Sequence, residues 1–319
     1  MCVGFWSLEH PRYALILCSN RDEYLSRPTV SARFHSFGNI NDDASGDGLV
    51  LSGRDMLAGG TWAGLSRSGR VAIITNITEP PSQYDSSRGD LTSSFLLPKK
   101  PTMTLREEIH ELTSRNTKFA GFNLLLLSPR AESDPRANKL SLDAAIATNC
   151  GGGGRIIARE LTYEERRCGG ISNGVDHHGA NEWPKVKHGV QALQDILSSD
   201  FDESKLVEQL VCPQNALIFG GSRESWKSDV APIDRSTLRN TIEVDPLLIP
   251  IKSSSSDIND CYGTRLSTII LIRRDGGVLF IERDIWVLKE GGTVAKADPR
   301  TQREFRFNTQ IDSEGQQVI

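Results

Sequence analysis

The most reactive candidate residue in this sequence is Cys2, because it directly follows Met1. If the initiator Met1 is removed, one residue carries both a thiol and a free α-amine. A thiol titrates near pH ~8.5 and an α-amine near ~7.7–8.0, so the amine can take the proton of the thiol. The resulting thiolate would attack an amide or thioester carbonyl. The alternative is that Cys2 is a small core residue, because free cysteines are often buried.

A polar tetrapeptide, Asn-Arg-Asp-Glu at 20–23, comes where the second predicted strand ends. If this strand is antiparallel to the first, Arg21 and Asp22 lie close to Cys2. An aspartate there can hold an α-ammonium in place, and an arginine lowers the pKa of a thiol. The same four residues are also typical of a polar turn with a local salt bridge.

Apolar patterning predicts the strands that would position these residues. One hairpin is indicated around residues 67–70, and another around the Asp-Gly turn in residues 273–277. The uninterrupted apolar run within residues 123–128 indicates a strand that is covered on both faces. The predicted strands are 2–6, 13–20, 62–66, 71–75, 122–127, 143–148, 267–272, 278–283 and 304–307.

Helices are predicted between the groups of strands. Thr104 and Glu107 form a capping box before a helix towards Leu112, and apolar residues recur at helical spacing over 186–197. Residues 200–203 can cap another helix that runs to Leu210, and a weaker pattern indicates a helix over 88–97. Because the strands come in hairpin order and the helices in separate groups, we predict an α+β fold. We expect one domain over 1–319, with loop insertions near 38–49, 129–139 and 213–260.

Composition excludes several classes of function. The 37 basic and 41 acidic residues give a net charge of −4, so the chain lacks the basic surface of a nucleic-acid-binding protein. Its most apolar run, residues 122–127, is far shorter than the ~20 residues of a transmembrane helix. No secretory signal is visible, and the six cysteines form no CxxC pair. We therefore expect a cytoplasmic protein with no transmembrane segment and no metal site.

Seven motifs occur in one order over nearly the whole chain. They are Cys2, Asn-Arg-Asp-Glu at 20–23, Gly-Arg-Asp at 53–55, Gly-Gly-Thr-Trp at 59–62, Thr-Asn at 75–76, Ile-Ser-Asn at 171–173 and Tyr-Gly-Thr-Arg at 262–265. With this set, the chain resembles the NRDE family, also called the transport and Golgi organisation protein 2 family. The resemblance implies an N-terminal-nucleophile (Ntn) hydrolase fold, a four-layer αββα sandwich.

The chain is also similar to the cysteine amidases that cleave penicillin V and conjugated bile salts. This likeness implies that the cysteine is the nucleophile, the aspartate orients its amine and the two arginines polarise the site. The two asparagines would donate to a developing oxyanion, although each also fits ordinary turn chemistry. The implied catalytic residues are Cys2, Arg21, Asp22, Asn76, Asn173 and Arg265.

The resemblance implies a Cys2-dependent hydrolase of a C–N amide or acyl thioester, connected with acyl-coenzyme A and lipid homeostasis. Hydrolysis of this kind would require no cofactor. The first alternative is a non-catalytic carrier of haem or acyl-coenzyme A, in which Cys2, His177 or His178 would bind the haem iron. The second is a factor in Golgi organisation and ER-to-Golgi secretion. Family resemblance extends the expected location to the Golgi or mitochondria.

Overall fold

The computed structural model describes residues 2–38, 47–80, 82–84, 86–100, 102–130, 139–211, 238–252 and 257–310. Five α-helices lie in these ranges: α1 (Gly89–Leu96), α2 (Leu105–Thr113), α3 (Tyr163–Arg167), α4 (Pro184–Ser198) and α5 (Glu203–Val211). None of them is long and apolar enough to cross a membrane. The Thr104 hydroxyl accepts from the Glu107 amide at the start of α2, so the predicted capping box is confirmed.

The described residues also form sixteen strands. They are β1 (Val3–Ser7), β2 (Tyr13–Tyr24), β3 (Thr29–His35), β4 (Val50–Asp55), β5 (Ala63–Ser66), β6 (Val71–Asn76), β7 (Phe122–Pro129), β8 (Leu142–Thr148), β9 (Ile157–Glu160), β10 (Gly169–Ile171), β11 (Leu247–Lys252), β12 (Asp257–Arg273), β13 (Gly277–Asp284), β14 (Trp286–Leu288), β15 (Val294–Lys296) and β16 (Arg303–Asn308). Both predicted hairpins are present, between β5 and β6 and between β12 and β13.

Two seven-stranded antiparallel sheets dominate the structure. Sheet 1 has the order β10-β1-β2-β12-β13-β16, with β11 also paired to β12. Sheet 2 contains β3 to β9 in sequence order, and β14 pairs separately with β15. Neighbouring strands pair in hairpin order instead of alternating with helices, so the chain is a sheet-rich α+β protein as predicted.

Alternation along single strands divides the apolar residues among three hydrophobic clusters. In β7, Leu125 and Leu127 belong to a cluster that both sheets share, whereas Leu124 and Leu126 pack with residues of α1 and α2. The predicted strand covered on both faces is therefore confirmed. On sheet 1, Ile269 of β12 belongs to a third cluster with residues of α4 and α5.

The structure differs from the predictions at the polar end of β2. This strand continues through the tetrapeptide to Tyr24, because its pairing with β12 extends to Tyr24 opposite Tyr262. Apolar periodicity gave no signal there, since the side chains buried in this part of the strand are polar.

Part of the predicted loop 213–260 also forms strands, because residues 247–252 pair with 257–262. Of the three predicted insertions, residues 39–46, 131–138, 213–237 and 253–256 lie outside the described residues.

Candidate active site

A polar cavity of about 500 Å³ lies where the start of β1, the ends of β2, β4 and β6, and the start of α1 meet. Four of the six predicted site residues line it: Cys2, Arg21, Asp22 and Asn76. The sheet pairing explains this convergence, because Val3 lies opposite Asn20 and the residue before Val3 is thereby placed beside the end of β2.

Cys2 is fixed through its main chain as well as its thiol. The thiol lies 3.9 Å from the main-chain oxygen of Asp22, to which it donates. The Cys2 carbonyl accepts a 2.8 Å hydrogen bond from the Ser172 hydroxyl. Burial raises the pKa of the Cys2 thiol, the Asp22 carboxylate raises it further, and the Arg21 guanidinium lowers it. The thiolate therefore depends on nearby positive charge.

Asp22 is buried, and β12 contacts it through the motif at 262–265. The Thr264 hydroxyl donates to Oδ1 of Asp22 at 2.6 Å, and the Tyr262 hydroxyl donates to its main-chain oxygen at 3.1 Å. Burial raises the pKa of the Asp22 carboxyl, while Lys185 and the bond from Thr264 lower it. These contacts hold the carboxyl in a fixed orientation.

Arg21 is held against the other wall of the cavity. Its guanidinium lies 4.0 Å from the ring centroid of Trp62, and Nη2 is 3.4 Å from Oδ2 of Asp55. Arg27 shares the same carboxylate, with Nε at 2.7 Å from Oδ2. Burial lowers the pKa of Arg21, and the acidic groups of Glu23, Cys2 and Asp55 oppose this effect. Arg21 is thus a rigid cation beside Cys2.

A clip formed by residues 172–174 connects the two sheets behind the cavity. Thr75 of β6 and Asn123 of β7 both donate to the Ser172 carbonyl, at 2.7 and 2.9 Å. Asn173 donates from Nδ2 to the main-chain oxygen of Asn76 at 2.6 Å. Because Ser172 also holds Cys2, the clip sets the distance between Cys2 and Asn76. Asn76 lines the cavity, whereas the buried Asn173 supports it from behind.

The other predicted residues lie outside the lining of this cavity in the described chain. Arg265 donates to the main-chain oxygen of Arg27, and burial lowers its pKa against the opposing effect of nearby acidic groups. His177 and His178 are exposed in a turn after β10. His177 lies 3.9 Å from the Asp176 carboxylate, and the structure does not bring either histidine beside Cys2.

Several residues of the site were not predicted from the sequence. Asp55, Trp62 and Thr264 lie in the motifs that carried the family resemblance, so those motifs contained a usable signal. Lys185 and Arg88 gave none, because neither lies in one of those motifs. Arg88 lines the cavity, donates to the Gly121 carbonyl at 3.0 Å and forms no ion pair with the described residues.

The glycine-rich loop at 151–154 is bound by an acidic side chain of the protein itself. The amides of Gly152 and Gly121 donate to the two carboxylate oxygens of Glu79, at 2.7 and 2.6 Å. Gly153 donates in turn to the main-chain oxygen of Phe119. This loop is therefore closed by the protein's own acidic group.

The fold and site define a sheet-rich α+β protein with a cysteine thiol, a buried carboxylate and a guanidinium around one polar cavity. A family model described as Transport and Golgi organisation 2 matches residues 1–286. The chain belongs to this family, which confirms the resemblance drawn from the motifs.

Relatives of this chain match it along most of their length. The Transport and Golgi organization 2 homolog of Mus musculus is 28% identical over 302 residues, covering 89% of this chain and 93% of the relative. Transport and Golgi organization protein 2 of Drosophila melanogaster is 25% identical over 309 residues, covering 92% and 95%. An uncharacterized protein of Saccharomyces cerevisiae is 26% identical over 327 residues, covering 96% and 99%.

Two solved structures share a weaker likeness. The Caenorhabditis elegans ortholog of N-acylethanolamine-hydrolyzing acid amidase has a TM-score of 0.41 at 12% identity, covering 66% of this chain and 85% of that chain. A mutant of conjugated bile acid hydrolase from Clostridium perfringens has a TM-score of 0.39 at 9% identity, covering 97% and 98%.

Proposed function

We propose that this chain is a Cys2-dependent hydrolase of a C–N amide or acyl thioester, built as a four-layer αββα sandwich of the Ntn-hydrolase kind. The observation that carries the activity is the convergence of Cys2, Arg21, Asp22 and Asn76 on one cavity. The three hydrophobic clusters support the layering, since one lies between the sheets and each of the others joins one sheet to helices.

Removal of Met1 would start the chemistry by giving Cys2 a free α-amine. The amine takes the thiol proton, and the sulfur attacks the substrate carbonyl to form a C–S bond and an oxyanion. The side-chain amide of Asn76 donates to that oxyanion, where one donor is worth ~2.7–4 kcal/mol. The ammonium then returns its proton to the leaving nitrogen or sulfur as its bond to carbon breaks. Water hydrolyses the acyl-enzyme, releasing the acid and restoring the thiol.

The charges around Cys2 suit these steps. Asp22 is buried and oriented by Thr264, so its carboxylate can hold the α-amine near the thiol. Arg21 is fixed by Trp62 and Asp55, so its charge stabilises the thiolate without a cost of reorganisation during the reaction.

Intact-protein mass spectrometry with limiting iodoacetamide tests the nucleophile. A Cys150→Ser background is needed, because Cys150 is exposed and would compete for the reagent. Cys18 and Cys168 serve as internal controls, since burial raises the pKa of each to about 12. We expect Met1 to be absent and Cys2 to be labelled first. Retained Met1, or a Cys2 no faster than Cys261, would contradict the hydrolase mechanism.

Turnover is then sought in parallel screens of acyl amides and acyl thioesters. Cys2→Ala removes the nucleophile, while Asn173→Ala tests the support behind Asn76 without touching the cavity wall. We expect no turnover by Cys2→Ala and reduced kcat for Asn173→Ala. Equal turnover by wild type and Cys2→Ala would refute the assignment of the nucleophile.

The same cavity supports a carrier of acyl-coenzyme A or haem as the alternative. Cys2 would then bind haem iron, because His177 and His178 do not line the cavity. Absorption spectra of wild type and Cys2→Ala distinguish the two functions. A haem spectrum that shifts with Cys2→Ala, together with no hydrolysis by wild type, favours the carrier. Turnover lost with ligand binding intact favours the hydrolase.

A further inference from the structure

The polar cavity contains an arginine whose charge the proposed hydrolysis does not use. Arg88 lies directly before α1 and lines the cavity together with Cys2 and Asn76. Its Nη1 donates to the Gly121 carbonyl at 3.0 Å, and its other nitrogens form no hydrogen bond with any residue that the structure describes. A guanidinium offers several N–H donors and no acceptor, so the donors that remain are suited to an anion.

Two other arginines of the lining are already paired with carboxylates. Nη2 of Arg21 and Nε of Arg27 lie 3.4 and 2.7 Å from Oδ2 of Asp55. The same two nitrogens lie 3.8 and 3.7 Å from Oε2 of Glu23. Two guanidinium groups and two carboxylates thus form one network without net charge.

Asp22 is the remaining acidic side chain among the residues that line the cavity. Its Oδ1 accepts from the Thr264 hydroxyl at 2.6 Å, and the proposed mechanism pairs this carboxylate with the α-ammonium of Cys2. Arg88 therefore supplies a positive charge to the lining that no carboxylate in the described ranges pairs with.

The position of Arg88 is set from behind the cavity. Gly121, whose carbonyl accepts from Arg88, donates its amide to Oε1 of Glu79 at 2.6 Å, and Gly152 donates to Oε2 at 2.7 Å. Glu79 is not part of the cavity lining. Burial lowers the pKa of Arg88, while the acidic groups of Glu79 and Cys2 oppose this effect. Because water is partly excluded there, an anion beside Arg88 would be attracted more strongly than in bulk water.

Hydroxyl groups lie on the same stretch of the lining as Arg88. They belong to Ser82, Tyr84, Ser86 and Ser87. The Ser87 oxygen accepts from the Gly89 amide at 3.1 Å, so its own proton remains for a ligand. The cavity of about 500 Å³ is within the usual range for a small-molecule site, so one substrate can contact this stretch and Cys2 together.

We propose that Arg88 is a specificity-determining residue, which binds a carboxylate or phosphate group of the substrate while Cys2 attacks the carbonyl. This inference rests on the proposed function and narrows its substrates to acyl amides or acyl thioesters that carry an anionic group. Carboxylate and phosphate share the chemistry that matters here, since both present oxygens to which a planar guanidinium donates through parallel hydrogen bonds.

Protection of Cys2 against iodoacetamide tests this inference in the Cys150→Ser background, and it needs no turnover. The probes are N-acetylglycine, N-acetylglycinamide and inorganic phosphate. The first two differ only in a carboxylate against a neutral amide. We expect N-acetylglycine or phosphate to protect Cys2 at about tenfold lower concentration than N-acetylglycinamide, because hydrogen bonds to charged groups are the stronger ones. The anion that protects at the lower concentration identifies the group that Arg88 binds.

Three variants assign the effect to Arg88. Arg88→Met removes the charge at similar length, and Arg88→Gln removes it but keeps a donor for the Gly121 carbonyl. Arg115→Met is the matched control, because Arg115 lies outside the cavity, 3.9 Å from the Glu111 carboxylate. Each rate is divided by that of the same variant without added compound, which removes any effect on the thiol itself. We expect both Arg88 variants to lose the tenfold advantage of the anion and Arg115→Met to keep it.

Equal protection by all three probes in the parent protein would overturn the inference. So would an anion advantage that persists in folded Arg88→Met, and Arg88→Gln decides if the methionine variant does not fold. The hydrolase proposal fails separately. Protection that depends on Arg88 without any turnover removes the hydrolase and leaves the anion site, whereas hydrolysis of N-acylglycines and N-acylglycinamides at equal kcat/KM removes only the role of Arg88.

Discussion

Thr264→Val tests whether hydrogen bonding at Asp22 stabilises the site as the geometry indicates. Thr264 is 0% exposed, and its hydroxyl makes two bonds. It donates to Oδ1 of Asp22 at 2.6 Å and accepts from the amide of Val244 at 2.7 Å. Valine keeps the shape of threonine but removes both bonds, so the substitution opens no cavity.

The expected loss follows from those two bonds. A hydrogen bond to a charged group contributes ~1.5–3 kcal/mol, and a buried amide left unpaired costs ~1–3 kcal/mol. We therefore expect the free energy of unfolding to fall by about 2.5–6 kcal/mol, the sum of these two terms. The pKa of the Asp22 carboxyl should rise as well, because the bond from Thr264 favours its charged form.

Thr92→Val is the matched control for this measurement. Thr92 on α1 is also 0% exposed, but its hydroxyl has no hydrogen-bonding partner among the described residues. Replacing that hydroxyl with a methyl group should leave stability unchanged or raise it by about 1 kcal/mol. Urea unfolding of both variants and the wild type gives the two differences directly.

The comparison has a clear refuting result. Equal losses for Thr264→Val and Thr92→Val would mean that the contacts of Asp22 contribute nothing specific to folding. A large loss for Thr264→Val without any change in the pH profile of Cys2 alkylation would separate Asp22 from the thiol. In that case Asp22 would be a structural carboxylate instead of part of the site.

Three further predictions concern the cavity and its walls. Arg88→Met should lower the ratio of iodoacetate to iodoacetamide rates at Cys2 severalfold, whereas Arg115→Met should not, because Arg88 lines the cavity and Arg115 does not. Burial raises the folded pKa of Asp22, so the contribution of this group to stability is present below its unfolded pKa and is lost as pH rises through the folded pKa. Asp22→Asn should therefore lose less stability as pH rises above about 4, as urea unfolding at a series of pH values will show. Gly60→Ala should lower stability more than Gly59→Ala: both residues have φ near +70°, but only at Gly60 would the new Cβ meet backbone, at 2.5 Å.

Patterning predicted the elements whose buried residues are apolar. The run in β7 indicated a strand covered on both faces, because alternate leucines pack into two different clusters. The spacing along α4 indicated a helix with one apolar face. Elements with mixed or short patterns, such as β3, β9 and β14, escaped prediction. Their pairing partners, and not their own residues, make them strands.

The family, the α+β class and the placement of Cys2 beside the Asn-Arg-Asp-Glu segment could be predicted from the sequence, because strand pairing between β1 and β2 is local in the chain. The groups that surround the thiol could not be predicted in this way, because they come from segments that are far apart in the chain. The Thr264 hydroxyl donates to Asp22 although the two residues are more than 240 positions apart in the chain. The hydroxyl of Ser172, directly after β10, donates to the Cys2 carbonyl. Lys185 on α4 is buried by packing with other parts of the fold. Charge and hydrogen-bonding partners depend on distance in space, which no local pattern of residues encodes.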